Sequence, residues 1–496
     1  MRRASVALLW TLVACADRPS PPGDGGTLAP DDGGAVQRLT KEQLRDPETC
    51  KGCHPGHFRE WSSSMHAYAA KDPVFIAMNA RGQRETGGAL GDFCVRCHAP
   101  MAVIDGLTTD GLNLDELPDR DRGVSCYFCH NLVAIEGDHN AQLRIADDTT
   151  MRGTIRDPVQ PTAHRAEHSE LLVHTNRSAS AICGGCHDIV TPNGVHLERT
   201  FAEYQQSISA MSAEPGGPPF DACQSCHMPE RRAAAAVYPG AGERSVHEHL
   251  WPGIDVALTD FPNRDALESA VEDCQLGQAS ITFFTLEVSE PDVFTFRLET
   301  NAGHNQPSGS AQDRRMWLEV LAYDAAGQII EEVSSGNIGP LEVEEKPASD
   351  PLHDPQLWLF RDRIFNAAGD PVHMFWEAAS SEAYPDGYSS STLPARTTLA
   401  LGANAVERSY RMSTAAGLPA RVTARLRIRP IGMDVLHDLV DSGDLDRTHL
   451  EAMPTFTFGA QLEWFSSDGF TTLTASPTTD CEKYRCLLHP GSEACD

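Results

Sequence analysis

Long apolar runs are missing from this chain. No stretch approaches the roughly 18 uninterrupted apolar residues that a membrane-spanning helix needs. That argues against an integral membrane protein with helical spans and points to a soluble or lipid-anchored one. Positive charge is scarce as well: 40 Lys and Arg stand against 70 Asp and Glu, a formal net charge of −30. Duplex nucleic acid calls for a basic footprint, so no nucleic-acid partner is expected. A field of this sign suits a basic protein partner, because complementary potentials speed encounter, and it also serves solubility.

Cysteine, by contrast, is plentiful and patterned. Ten of the fifteen cysteines fall in five copies of Cys-x-x-Cys-His. These are Cys50, Cys53 and His54; Cys94, Cys97 and His98; Cys126, Cys129 and His130; Cys183, Cys186 and His187; and Cys223, Cys226 and His227. The motif reads as covalent c-type haem attachment. The two thiols add to the haem vinyl groups, and the following imidazole is the proximal ligand of the iron. Zinc would want paired Cys-x-x-Cys motifs sharing one metal, with no reason for His always to follow. A redox dithiol of the thioredoxin kind would occur once. Five c-type haems are therefore the expected cofactors.

The N-terminus points to export. Arg2 and Arg3 precede a short apolar run over residues 4–14, a predicted signal peptide over 1–14. It ends in Leu12-Val13-Ala14-Cys15, which resembles a bacterial lipobox and implies lipidation of Cys15 and a membrane anchor. The alternative is an ordinary signal peptide that leaves Cys15 removed or free. Either way the expected site is outside the cytoplasm, as a periplasmic or cell-surface protein. Residues 15–40, rich in Pro, Gly and Asp, read as a flexible linker. Cys274, Cys481, Cys486 and Cys495 remain. In an oxidising compartment they allow two disulfides in any of three connectivities.

Beyond residue 40 the chain divides by periodicity, and the expected fold is an α + β multidomain one. Residues 41–255 hold all five motifs, with short helices and loops predicted around the haems. Phe58, Trp61, Met65, Tyr68 and Ala69 recur at helical spacing. Pro73 opens a predicted helix over 74–79, and a further short helix is predicted to carry Phe201, Tyr204 and Gln205. Residues 256–470 turn to period two, as in Phe294, Phe296 and Leu298 or Val422, Ala424, Leu426 and Ile428. This predicts a β-sandwich-like domain with a short helix over 435–440. Residues 316–323 and 328–333 read as a hairpin. Residues 471–496 read as a cysteine-pinned tail.

The first motif continues as His54-Pro55-Gly56-His57-Phe58-Arg59-Glu60-Trp61, then Met65-His66-Ala67. This resembles the cytochrome c554-like group of multihaem c-type cytochromes. Gly123-Val124-Ser125 before Cys126, Asp188 after His187, and Met228-Pro229 after His227 are similar to the same group. Gly303-His304-Asn305-Gln306-Pro307-Ser308-Gly309 with Arg314-Arg315-Met316-Trp317 is similar to a β-rich extension of some members. The resemblance implies closely stacked haems, mostly with two His ligands, passing electrons. Hydroxylamine oxidoreductases have related packing but more haems, and the Cys-x-x-Cys-Lys site of pentahaem nitrite reductases is absent from this chain.

Two axial imidazoles make an electron carrier, whereas an open position admits substrate. Function therefore turns on the distal histidines. The resemblance marks His66, and it favours His249 over the neighbouring His247. Of His164 and His168, His168 is preferred. His304 lies in a loop held by flanking strands, and His139 is taken for the fifth place over His174, His57 and His196. The leading expectation is a multihaem cytochrome carrying electrons to a redox partner. The alternative is an oxidoreductase acting on a small nitrogen or sulfur compound at one five-coordinate haem. A third reading makes the β-rich half a docking module.

Overall fold

The computed structural model describes residues 37–159, 163–217, 222–279, 281–381, 391–475 and 480–490. The signal segment, Cys15 and most of the linker lie outside the described residues. No helix among the described residues is long and apolar enough to cross a membrane.

The motif-bearing half is built from short helices, several opened by a proline whose fixed φ suits the first turn. Pro47, Pro55, Pro73 and Pro100 each begin one. The helical spacing from Phe58 to Ala69 resolves into two helices, Pro55–Ser62 and Met65–Tyr68, because Ser64 caps the second. The helix after Pro73 runs further than expected, Pro73–Glu85, and the one holding Phe201 spans Thr200–Ala213. Apolar side chains here form separate small clusters, such as Leu44, Met101, Tyr127, Phe128 and Leu132. Val95, Ala99, Ala102 and Leu114 form another.

The second half contains two four-stranded antiparallel sheets. One has the order Val406–Arg411, Val293–Thr300, Ile281–Glu290, Thr471–Thr474. The other has the order Trp358–Phe360, Arg315–Tyr323, Arg421–Arg429, Phe456–Phe465. In-register pairs such as Phe296 with Leu286 and Leu318 with Leu426 put the alternating apolar residues on facing sides. One core joins Phe294, Phe296, Met316, Leu318, Leu426, Ile428 and Trp464. That is a sandwich.

Two expectations need correction. Residues 316–323 and 328–333 do turn back on each other at Asp324, through bridges of Tyr323 with Ile329 and Val320 with Ser335, but 331–333 is a helical turn and not a second strand. The strand Arg315–Tyr323 pairs instead with Arg421–Arg429 and Trp358–Phe360. On the far side of Arg421–Arg429, Arg429 is fully buried against Glu344, while Arg425 and Arg427 pair with Glu319. The C-terminal segment is more than a cysteine-pinned tail. It supplies an edge strand, Thr471–Thr474, and a helix, Cys481–Leu488, whose Tyr484 and Leu488 enter the core. Cys274 bonds to Cys481, and Cys486 is also in a disulfide.

Candidate functional site

Each motif winds into roughly one helical turn, with the His54, His98 and His187 amides donating to the carbonyls of Cys50, Cys94 and Cys183. Side chains at i, i+3 and i+4 then share a face, so both thiols and the imidazole of a motif point the same way. Side-chain size is limited nearby. A Cβ on Gly184 would sit 2.3 Å from the Phe201 ring.

Four motif histidines face a second imidazole. Ring centroids are 6.2 Å apart for His54 and His164, His130 and His249, and His66 and His187. They are 6.4 Å apart for His227 and His304. Three pairs are near parallel, at 29°, 20° and 18°, whereas His66 and His187 cross at 76°. An imidazole nitrogen sits about 2 Å from a metal it ligates, and the ring centre about 1.1 Å further. Trans ligands of one metal therefore have centroids about 6.3 Å apart. The four pairs match that spacing.

Second contacts orient the rings. Nδ1 of His54 donates to the Ala235 carbonyl (2.6 Å), that of His98 to Ala69 (2.9 Å) and that of His227 to Pro252 (2.9 Å). His164, His249 and His304 use Nδ1 on the carbonyls of Arg165, His247 and Asn305. This leaves Nε2 for a metal. Burial is the main cause that holds these imidazoles below their ordinary basicity, His98 and His304 to about 4 and His66 to about 3. The neutral ring is the ligating form. Gly123 lets the chain before motif three pass His66. Its φ is +147°, and a Cβ there would lie 2.8 Å from the His66 carbonyl oxygen. The Val124 amide donates to that same carbonyl at 2.8 Å.

His168 and His139 do not oppose a motif histidine. His168 has its Nδ1 against the Thr154 carbonyl (3.1 Å) and its Nε2 against Glu170 (3.0 Å). His139 bonds to its neighbour Asp138 at 2.8 Å and sits near the surface. His164 takes the place expected of His168. The two share a parity at and just before the strand Arg165–His168, so alternation could not separate them. About 13 Å of strand lies between them. For His98, no second imidazole faces it among the described residues. Its ring stacks on Phe75, with centroids 3.9 Å apart and planes at 9°.

The motifs are also neighbours of one another. The thiol of Cys50 interacts with Cys126, that of Cys97 with Cys186, and that of Cys183 with Cys223. Cys129 interacts with both Cys183 and Cys186. Motif four therefore adjoins motifs two, three and five, and motif one adjoins motif three.

Paired thiols, a motif imidazole and an opposed neutral imidazole together fit c-type haem. The comparisons agree. Residues 49–131 match the family model described as cytochrome c554 and c-prime. The fold is similar to that of a penta-haem cytochrome c552 from Thermochromatium tepidum, with a TM-score of 0.56 and 21% identity. The similarity covers 87% of this chain and 99% of that one. No curated protein matches. The fold is thus similar to that of a multihaem c-type cytochrome. Across its first three motifs the chain is cytochrome c554-like in sequence.

Proposed function

We propose that the chain is an electron relay holding five c-type haems, four ligated through pairs of histidines and the haem of motif two with its distal side free of histidine. The carrying observation is the set of four opposed imidazole pairs at 6.2–6.4 Å. Bound haem iron would supply one-electron exchange, and two fixed imidazoles keep its geometry nearly constant between redox states. The protein's own part is to lock each ring through a carbonyl at Nδ1, keep it neutral by burial, and set the motifs edge to edge. The neighbour relations of the thiols support a branched path, motif one to three to four, with motifs two and five as branches from four.

The expected location is outside the cytoplasm, anchored through Cys15, with a basic redox partner. The sequence from Arg2 to Cys15 and the net charge of −30 support this reading. That no second imidazole faces His98 among the described residues favours a second reading as well, an oxidoreductase acting on a small nitrogen or sulfur compound at haem two. An EPR spectrum of the oxidised protein tests both. Four low-spin haems and one high-spin haem, with about one carbon monoxide bound per reduced chain, are expected. Five low-spin haems would exclude the open site. More than one high-spin haem would break the pairing scheme. Turnover of nitrite or hydroxylamine decides between relay and enzyme.

A further inference from the structure

The loop that carries His249 is gripped from the far end of the chain. Glu248, 4% exposed, accepts from the Tyr484 hydroxyl at 2.7 Å and from Arg485 Nε at 2.8 Å. Leu250, 1% exposed, packs in the sandwich core with Tyr484 and Leu488. Both sequence neighbours of His249 are therefore held by the helix Cys481–Leu488. The His249 amide itself donates to Glu60 Oε2 at 2.9 Å. The other Glu60 oxygen accepts from His489 Nε2 at 2.9 Å and from Arg231 at 2.8 Å. Arg59 donates to the Leu488 carbonyl at 2.8 Å. The helix is in turn fastened to the sandwich side by the Cys274–Cys481 disulfide and the Lys483–Asp273 pair at 2.6 Å.

We infer that the C-terminal helix is a clamp on the axial ligand of haem three, with Glu248 and Glu60 as positioning residues that act through His249. The inference rests on the His130–His249 pairing proposed above. The physical ground is stiffness. Buried charge-assisted hydrogen bonds are short and directional, and truncating one partner strands the other. A ligand whose flanking residues are fixed on both sides keeps its distance and angle to the metal, which tunes the site. The clamp places ligation of one haem under the control of a segment more than two hundred residues away in sequence, since Glu248 and Arg485 are 237 residues apart.

The experiment uses the full, haem-loaded protein. His249→Ala identifies the low-spin EPR signal of haem three by removing it, and it raises carbon monoxide uptake from about one to about two per chain. Glu248→Ala, and Tyr484→Phe combined with Arg485→Leu, should then alter that same signal and leave the others alone. Glu248→Gln keeps one oxygen to accept from Arg485 Nε, while its amide can donate to the Tyr484 oxygen, and should largely restore it. Glu319→Ala, which strands Arg425 and Arg427 in the other sheet, is the control for general loosening and should move no haem signal. A fully loaded Glu248→Ala protein with an unchanged spectrum overturns the clamp, as does one whose signals all shift together, as they then would in Glu319→Ala. Should Glu248→Ala fail to mature, Tyr484→Phe alone, the loss of one hydroxyl, decides by the same readout. If His249→Ala changes no signal, the pairing itself falls and the clamp with it. A change on His249→Ala with silence on Glu248→Ala removes only the clamp.

Discussion

At the scale of single residues, the informative contrast is between histidines that look alike in sequence. His164 and His168 are four residues apart, yet only His164 faces a motif imidazole. We expect His164→Ala to convert one low-spin haem to high-spin, read by EPR and by one added carbon monoxide site, and His168→Ala to leave the spectrum unchanged. His373 shows a different use of the same side chain. It bonds Asp438 at 2.6 Å and lies 3.3 Å from Asp434. Hydrogen bonds to Asp434 and Asp438 raise it from 6.5 to about 9, against the opposing effect of burial. A pKa raised in the folded state gives stability that is complete below the unfolded value and is lost as pH rises through the folded one. Thermal unfolding should therefore show about 2 kcal/mol of stability, discounted for partial exposure, fading between pH 6.5 and 9. His373→Gln should flatten that slope.

At the scale of elements, the C-terminal segment matters most. Thr471–Thr474 pairs with residues 285–288 of the sandwich, and Tyr484 and Leu488 fill its core. Deleting residues 471–496 is expected to destabilise the whole sandwich. The mid-point of thermal unfolding should drop, and apolar surface should become accessible to a hydrophobic dye. A milder change, Cys481→Ser, opens a loop spanning 207 residues and should cost about 2–5 kcal/mol, measured by denaturant unfolding under oxidising conditions. The loop at Gly303–Gly309 is another joint. Asn305 and Ser308 donate to Glu203, and the Gly309 amide donates to Thr200. That joint carries His304 to the ring of His227. Both of these ties between the β-rich half and the motif-bearing half sit beside a proposed axial ligand.

At the scale of the whole molecule, motif four is the hub, next to motifs two, three and five. Replacing Cys183 and Cys186 by Ser should remove one haem from the mass measured for the mature protein. In stopped-flow reduction it should leave the haem of motif two the last to respond, because its neighbour in the path is gone. With −30 net charge, electron exchange with a small basic cytochrome should slow about tenfold or more as ionic strength rises. An acidic acceptor should show the opposite or no dependence.

How much of this was legible beforehand follows from which forces are local. The five Cys-x-x-Cys-His turns and the period-two strands such as Val422 to Ile428 could be read directly. Thiol spacing and side-chain alternation are settled within a few residues. The resemblance marked His66 and His249, and the structure sets both opposite motif rings. Tertiary structure alone set His164 rather than His168 opposite a motif ring, left His98 with no facing imidazole among the described residues, and paired Arg315–Tyr323 with Arg421–Arg429. It alone also brought Tyr484, Arg485 and His489 to the loop of His249. The reason is physical. An axial pair or a sheet register is fixed by where distant segments meet, and no local spacing encodes the meeting of residues as far apart as Glu60 and His489.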